Sequence, residues 1–178
     1  MRTRALLTTS LLLLALGATA CQASGSVEIG KKVSSSELEK QVTEKLKGQI
    51  ETTKVDCPDG LKGKVGATTT CTVDTAELRY TATVKATKVD GSTVSFDLKM
   101  PPPATMTQAV LEKKVATTLA DQVPGGVTSV TCESDLVGTV GETATCTVTP
   151  GTGDPVKVAT TVTQADFTSI NFSIKSVG

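Results

Sequence analysis

The segment VDCPDGLKGKVGATTTCTV, residues 55–73, recurs in the same chain as VTCESDLVGTVGETATCTV, residues 130–148. The two copies align without a gap at an offset of 75 residues, and they share both cysteines, a leucine, two glycines and the closing CTV. Internal repetition at a fixed period determines the number of domains. The sequence therefore predicts two tandem domains, each built around one copy.

The cysteines within each copy are 14 residues apart. In an exported protein this spacing predicts one disulfide per domain, Cys57–Cys71 and Cys132–Cys146. A disulfide that closes a loop of this length stabilises a domain by roughly 3 kcal/mol, and small domains with small cores often need such a link. Two alternatives stay open: disulfides between the copies, and a four-cysteine zinc site, which would lack the usual C-x-x-C pairs.

One amphipathic helix is expected ahead of each cysteine segment. Residues 34–50 carry an apolar residue at every fourth position, and Ser36 with Glu39 has the spacing of a capping box. The second copy repeats the stripe and is expected to end its helix at Gly125-Gly126. The two apolar stripes are Leu38, Val42, Leu46 and Ile50, and Leu111, Val115, Leu119 and Val123.

Alternating apolar and polar residues predict strands after each helix. In the first copy these lie around 53–57, 67–74 and 78–89, and a fourth strand follows the Asp90-Gly91 turn. The expected fold is α+β, with two tandem repeats that each pack one helix on a four-stranded antiparallel sheet with one disulfide. The expected boundaries are 34–100 for domain 1, 101–104 for a Pro-rich linker that spaces the domains, and 105–178 for domain 2.

The N-terminus has the pattern of an export signal. Two arginines precede a short apolar run, and small residues then lead to Cys21, which leaves the chain with an odd number of cysteines. ATAC at 18–21 resembles a bacterial lipobox, although Ala18 stands where leucine is usual. We therefore expect a signal peptide at 1–20, lipidation of Cys21 and a lipidated tether at 21–33. The alternative is ordinary secretion, because Ala18-Thr19-Ala20 also fits an A-x-A cleavage site.

These features predict a protein held by a lipid on the outer face of the cell membrane. The chain has 18 basic and 18 acidic residues, so no strongly basic face for nucleic acid is expected. A membrane contact through Cys21 and an unidentified envelope protein or cell-wall partner are the expected interactions.

The full pattern of a helix, VxCPxxLxGxVGxxxxCTV, a long strand and DGxxVxFD resembles a family of actinobacterial lipoproteins and secreted proteins, domain of unknown function 4333. In the second copy Glu133 replaces Pro58, and Phe167 occupies the turn region. This family has no known activity, so the resemblance assigns no catalytic residue to the chain. The first copy carries the pattern at Cys57, Pro58, Leu61, Gly63, Val65, Gly66, Cys71, Asp90, Gly91 and Phe96, and the second at Cys132, Leu136, Gly138, Val140, Gly141, Cys146 and Phe172.

The tandem architecture also looks like the β-lactamase inhibitory protein, which binds its enzyme with an aromatic-rich sheet surface. This chain has no Trp, one Tyr and three Phe, and Tyr80, Phe96 and Phe172 fall on expected core positions. Interface hot spots favour aromatic residues, so the likeness is weaker where binding would occur.

The sequence contains few residues that could act as catalytic groups. The chain has no histidine, which excludes histidine-based nucleophile systems. Asp56 and Asp59 flank Cys57 and could form a cation site, but Pro58-Asp59-Gly60 is also ordinary turn chemistry. We expect no catalytic residue, no metal and no cofactor. The expected function is a non-enzymatic binding or envelope-interaction module, and the alternative is an inhibitor of an extracellular enzyme.

Overall fold

The computed structural model describes residues 32–177. The predicted signal peptide at 1–20, the lipidation site Cys21 and nearly all of the tether lie outside the described residues. Among residues 32–177, no helix is both long and apolar enough to cross a membrane.

Each repeat contains one helix and four main strands, as predicted, and a short two-stranded unit that was not predicted. Repeat 1 consists of β1 (Lys32–Val33), α1 (Ser35–Leu46), β2 (Lys54–Asp56), β3 (Leu61–Lys62), β4 (Thr68–Asp74), β5 (Arg79–Asp90) and β6 (Thr93–Lys99). Repeat 2 consists of β7 (Thr105–Met106), α2 (Gln108–Leu119), β8 (Val127–Cys132), β9 (Leu136–Val137), β10 (Thr143–Pro150), β11 (Val156–Ala165) and β12 (Ile170–Ser176).

The main sheets have the same antiparallel order in both repeats, β2-β4-β5-β6 and β8-β10-β11-β12. The alternation predicted for β5 is confirmed, because Tyr80, Ala82, Val84 and Ala86 are buried and the residues between them are exposed. Each helix lays its apolar stripe on the buried face of its sheet, as Leu38 and Leu111, both fully buried, illustrate. The fold class is therefore the α+β tandem repeat that the sequence predicts.

The helices begin and end elsewhere than predicted. The N-cap of α1 is Ser34, whose hydroxyl accepts a hydrogen bond from the Glu37 amide, so the predicted Ser36–Glu39 capping box is wrong. In repeat 2 the helix ends at Leu119 rather than at Gly125-Gly126. The helix of repeat 1 ends at the matching leucine, Leu46. In both repeats this leucine carbonyl accepts hydrogen bonds from the amides three and four residues later, in the turn that follows the helix.

The Pro-rich linker does not keep the repeats apart, which corrects the expected spacer. Directly after it, Thr105 of β7 pairs with Arg79 of β5, so the short unit of repeat 2 extends the sheet of repeat 1. The linker's own Ala104 is buried, and its carbonyl accepts a hydrogen bond from the Gly138 amide. Buried residues of both repeats form one continuous apolar cluster.

Candidate functional site

Both predicted disulfides form, Cys57–Cys71 and Cys132–Cys146. The first joins β4 to Cys57, the residue directly after β2, and the second joins β8 to β10. The paired Cα atoms are 4.3 and 3.9 Å apart. All four cysteines are buried. Because these bridges use every cysteine of the described residues, neither the disulfides between repeats nor the four-cysteine zinc site occurs.

A glutamate on each helix binds the backbone at its disulfide. Glu39 Oε1 accepts a hydrogen bond from the Cys57 amide at 3.1 Å, and Glu112 Oε1 accepts one from the Cys132 amide at 2.9 Å. This bond ties each helix to the first cysteine of its repeat, which follows β2 in repeat 1 and ends β8 in repeat 2. Sequence reasoning missed it, although the signal was present, because in each helix a glutamate directly follows the first leucine of the apolar stripe.

An aromatic contact joins the two repeats. The rings of Tyr80 and Phe167 lie 5.1 Å apart, and the Tyr80 hydroxyl donates a hydrogen bond to the Phe167 carbonyl at 2.5 Å. Burial raises the pKa of Tyr80, and the charge of Asp166 adds to this effect. Hydrogen bonds from Thr168 and Ser169 lower the pKa of Asp166 and fix the turn that carries Phe167.

Ion pairs flank this contact. Lys114 Nζ lies 3.0 Å from a Glu77 carboxylate oxygen and links α2 to the β4–β5 turn. Arg79 donates two hydrogen bonds to Asp74, at 2.7 and 3.1 Å, and this hydrogen-bonded carboxylate raises the pKa of Arg79. These pairs hold the start of β5 against Thr105 of the next repeat.

A cleft of about 500 Å³ lies between the repeats. It offers ammonium, hydroxyl and amide groups, and its one carboxylate, that of Glu77, is paired with Lys114. It therefore lacks the pair of carboxylates that acid-base hydrolysis would use. The cleft is lined by Ala76, Glu77, Val110, Lys113, Lys114, Thr117, Thr118, Ile170, Asn171 and Phe172.

A second cleft, called here the apolar cleft, lies in repeat 2 between the end of α2 and the sheet. It measures about 400 Å³, and most of its lining is apolar. Asp154 is its one charged residue. The lining consists of Leu119, Gln122, Val123, Pro124, Val148, Pro150, Thr152, Asp154, Val156, Val158, Ile174 and Ser176.

The apolar cleft exists because repeat 2 carries smaller or polar residues where repeat 1 fills its core. The strand registers make Tyr80 and Val156 equivalent, since each lies opposite the valine two residues after the second cysteine. Tyr80 is 3% exposed, whereas Val156 is 44% exposed. Counting along the same strands, Leu78, Tyr80 and Met100 of repeat 1 correspond to Asp154, Val156 and Ser176 of repeat 2.

The acidic residues considered as a cation site do not come together in the structure. Asp56 forms an exposed ion pair with Lys54 at 3.2 Å, and Asp59 lies exposed in the turn before Gly60. Asp135, the acid of the second copy, accepts a hydrogen bond from the Gln108 amide at 2.7 Å and so caps α2. No group of three potential metal ligands lies together within residues 32–177.

Comparison with known proteins gives one match. The family described as domain of unknown function (DUF4333) matches the chain twice, over residues 16–91 and 93–166. Each match stops before the last strand of its repeat, so β6 and β12 lie outside the match to their own repeat. No curated protein and no solved structure matches the chain. Because the two matches cover most of the sequence, the chain belongs to the DUF4333 family and contains two tandem copies of its domain.

Proposed function

We propose that the protein is a non-enzymatic binding protein, held by a lipid at Cys21 on the outer face of the cell membrane, that binds a small amphiphile in the apolar cleft of repeat 2. One observation carries the proposal. Repeat 1 fills the equivalent volume with its own side chains, so the fold does not require the cleft, and repeat 2 nevertheless has it.

The chemistry of the cleft selects the ligand. Small-molecule sites commonly measure 300–1,000 Å³ and combine apolar walls with a few polar groups, and the cleft of about 400 Å³ lies in this range. Its apolar walls suit an aliphatic body. Gln122, Thr152 and Ser176 can form hydrogen bonds with a polar end, and the carboxylate of Asp154 favours an end that is neutral or cationic over one that is anionic.

The binding proposal is tested with three ligands of one chain length: dodecylamine, dodecanol and dodecanoate. We expect the predicted mature chain, Cys21 to Gly178, to bind the amine and the alcohol, and to bind dodecanoate at least about fivefold more weakly, because an exposed like-charge pair costs about 1 kcal/mol. Asp154→Asn should remove this difference. Equal binding of all three ligands, or binding of none, would refute the assignment.

Two substitutions that restore the residues of repeat 1 provide the structural control. Val156→Tyr and Ser176→Met should abolish ligand binding and leave the thermal midpoint unchanged or higher, because they fill the cleft with the side chains found in repeat 1. Tyr80→Phe alters the other repeat and should leave ligand binding unchanged. Retained binding in the filled variants would place the ligand elsewhere.

The anchor is tested separately by measuring the intact mass of the protein from the native membrane fraction. We expect a chain that begins at Cys21, carries acyl groups and lacks four hydrogens because of its two disulfides. Cys21→Ala should release the protein into the medium. An unmodified chain in the medium of the wild type would support secretion instead.

Inhibition of an extracellular enzyme is the alternative function. It would need aromatic side chains on an accessible surface. Phe167 is 44% exposed and also contacts Tyr80, whereas Tyr80 itself is buried. Titration against β-lactamases and peptidases decides the alternative: inhibition at micromolar concentration that Phe167→Ala removes would support it.

A further inference from the structure

We propose that two copies of the protein pair through β12, the last strand of repeat 2, and form a symmetric dimer. In this dimer β12 of one copy lies antiparallel to β12 of the other, and the two four-stranded sheets of repeat 2 become one continuous sheet. The proposal goes beyond the function proposed above and does not depend on a ligand in the apolar cleft.

Strand β12 is an edge of its sheet. The strand order in repeat 2 is β12-β11-β10-β8, and within residues 32–177 no strand pairs with the outer side of β12. An edge presents unpaired N–H and C=O groups to any other strand, and proteins usually protect it with charged or covering side chains. Strand β6 is the equivalent strand of repeat 1. Comparison of the two strands shows which protection β12 lacks.

The backbone of Phe172 points away from the sheet. The Val162 amide donates to the Glu142 carbonyl at 2.9 Å, and the Val162 carbonyl accepts from the Gly141 amide at 2.9 Å. Both backbone groups of Val162 are therefore used on the side away from β12. Because Phe172 lies opposite Val162, the two residues form a pair without hydrogen bonds between them, and the N–H and C=O of Phe172 point outward. The same alternation directs the backbone of Ile174 outward.

A lysine covers the equivalent position of repeat 1. Phe96 corresponds to Phe172, since each lies opposite the same position of the long third strand, Ala86 or Val162. Lys45 of α1 donates to the Phe96 carbonyl at 3.2 Å, and its ammonium group lies 5.4 Å from the centre of the Phe96 ring. This side chain therefore occupies the carbonyl that a second strand would need.

Repeat 2 lacks this cover. The glutamates that bind the cysteine amides align the two helices, and this alignment makes Thr118 the equivalent of Lys45. The Thr118 hydroxyl donates to the Lys114 carbonyl of its own helix at 2.8 Å. Thr118 and Phe172 both line the cleft between the repeats, so open space separates this part of α2 from Phe172. Among the described residues, no side chain donates to the Phe172 carbonyl.

The next residue of the strand also differs between the repeats. When two copies of one strand pair about a two-fold axis, one residue can lie opposite its own copy. If the outward backbones of Phe172 and Ile174 form the new hydrogen bonds, that residue is Ser173. Its equivalent in β6 is Asp97, and two aspartates opposite each other would repel. Repeat 1 thus has two features that oppose self-pairing, and repeat 2 has neither.

The remaining pairs of the dimer are complementary. Phe172 of one copy lies opposite Ile174 of the other on the face toward the helix, and such pairs of an aromatic and a β-branched residue stabilise sheets. On the opposite face Asn171 lies opposite Lys175, the one charged residue of β12, so no like charges meet. The hydroxyls of the two Ser173 side chains can form a hydrogen bond. A second copy is therefore the partner that fits this edge.

The first test captures the proposed register with a disulfide. The predicted mature chain with Cys21→Ser keeps only the four cysteines that form the two disulfides. In the dimer the two Cα atoms at position 173 should lie about 4.5 Å apart, a separation that a disulfide spans. Ser173→Cys should therefore give a covalent dimer when it is oxidised with copper phenanthroline.

The matched control for this test is Asn171→Cys. Position 171 lies opposite 175 rather than opposite itself, so this variant should stay largely monomeric under the same oxidation. The double variant Asn171→Cys, Lys175→Cys should be linked again. Equal cross-linking of the two single variants, or none in Ser173→Cys, would overturn the proposed pairing.

The second test introduces the residues of repeat 1 into repeat 2. Sedimentation velocity of the Cys21→Ser chain should show a monomer–dimer equilibrium in the micromolar range, since a single strand pair is a small interface. Thr118→Lys should weaken dimerisation at least about tenfold, because each copy loses a hydrogen bond at Phe172. Ser173→Asp should weaken it about fivefold or more, because like charges meet. Both variants should keep the thermal midpoint, because repeat 1 carries the same residues.

Thr139→Lys is the control for net charge. It adds one positive charge to repeat 2 away from β12, at the position where repeat 1 carries Lys64, and it should leave dimerisation unchanged. The opposite exchange, Lys45→Thr with Asp97→Ser, should open the edge of repeat 1 and produce oligomers larger than a dimer. A chain that stays monomeric up to roughly 1 mM would overturn the proposal. Unchanged dimerisation in both Thr118→Lys and Ser173→Asp would place the contact elsewhere and overturn it as well.

Discussion

Removing the aromatic contact between the repeats should return the pKa of the single tyrosine, Tyr80, toward its ordinary value. Tyr80 is the only tyrosine of the chain, and there is no tryptophan, so the near-ultraviolet absorbance of phenolate reports this residue alone. Burial and the charge of Asp166 raise its pKa in the folded protein. We expect Phe167→Ala to lower the pKa of Tyr80 toward about 10. Asp166→Asn should lower it less, because burial is the larger cause.

The stability change follows from the same contact. Tyr80→Phe removes one hydrogen bond to a backbone carbonyl and should cost about 1 kcal/mol, which lowers the thermal midpoint by roughly 4 °C for a protein of this size. Phe167→Ala should cost about 2 kcal/mol, because a buried Phe→Ala change costs 3–5 kcal/mol and this side chain is 44% exposed. Thermal unfolding followed by circular dichroism measures both.

The dependence on pH has a definite sign. Because the pKa of Tyr80 is raised in the folded state, its stabilising contribution is complete below the unfolded value, about 10, and is lost as the pH rises through the folded value. The wild type should therefore lose stability above about pH 10 more steeply than Tyr80→Phe. An ordinary pKa of Tyr80 in the wild type, with no change in Phe167→Ala, would refute the contact between Tyr80 and Phe167.

The other predictions concern the support of the disulfide in repeat 1. Glu39→Ala leaves the buried Cys57 amide without its acceptor and should lower the free energy of unfolding by about 1–3 kcal/mol, measured with denaturant. Glu39→Gln keeps an oxygen acceptor and should lower it less. Equal losses in the two variants would argue against the bond. Cys57→Ser with Cys71→Ser should cost roughly 3 kcal/mol, and reduction of the wild type should reproduce part of that loss. Gly60→Ala would place a Cβ against the backbone carbonyl oxygen of Val33 in β1, at a φ of +60°. It should therefore lower the thermal midpoint more than Gly66→Ala, which also has positive φ but open space around it. The reverse order would contradict the close approach.

The parts of the fold that the sequence predicted are those with a strong period. The alternation of β5 and the four-residue stripes of the helices each bury one face, and burial of that face determines the element. Helix ends depend on local hydrogen bonds instead: the Ser34 hydroxyl accepts one at the start of α1, and the Leu119 carbonyl accepts two from the turn after α2. Neither disturbs the period, so periodicity alone placed both ends wrongly.

The candidate sites were harder to predict, because they depend on differences between the repeats. The offset between equivalent residues is 75 at the cysteines and 76 from Tyr80 and Val156 onward, since the turn before β11 is one residue longer than the turn before β5. Only the strand register shows that Val156 stands where Tyr80 fills the core. The role of Phe167 was missed for a related reason, because a turn residue has no period that predicts its partner.

The tandem arrangement explains how two similar domains come to have different surfaces. Each repeat has two comparable surfaces. One is the short strand pair at an edge of the domain, and the other is the start of the third main strand, where Tyr80 lies in repeat 1 and Val156 in repeat 2. Joining the repeats uses the strand pair of repeat 2, through Thr105, and the Tyr80 end of repeat 1.

Within the described residues, this leaves the strand pair of repeat 1 and the Val156 end of repeat 2 without an equivalent contact from the other repeat. Those two surfaces are also where the residues diverge, toward lysine at the first and toward smaller or polar side chains at the second. A single repeat would carry both surfaces on one small domain. Under the proposed function, ligand binding belongs to repeat 2 alone, so the cleft at its Val156 end can change without altering the contact that joins the repeats.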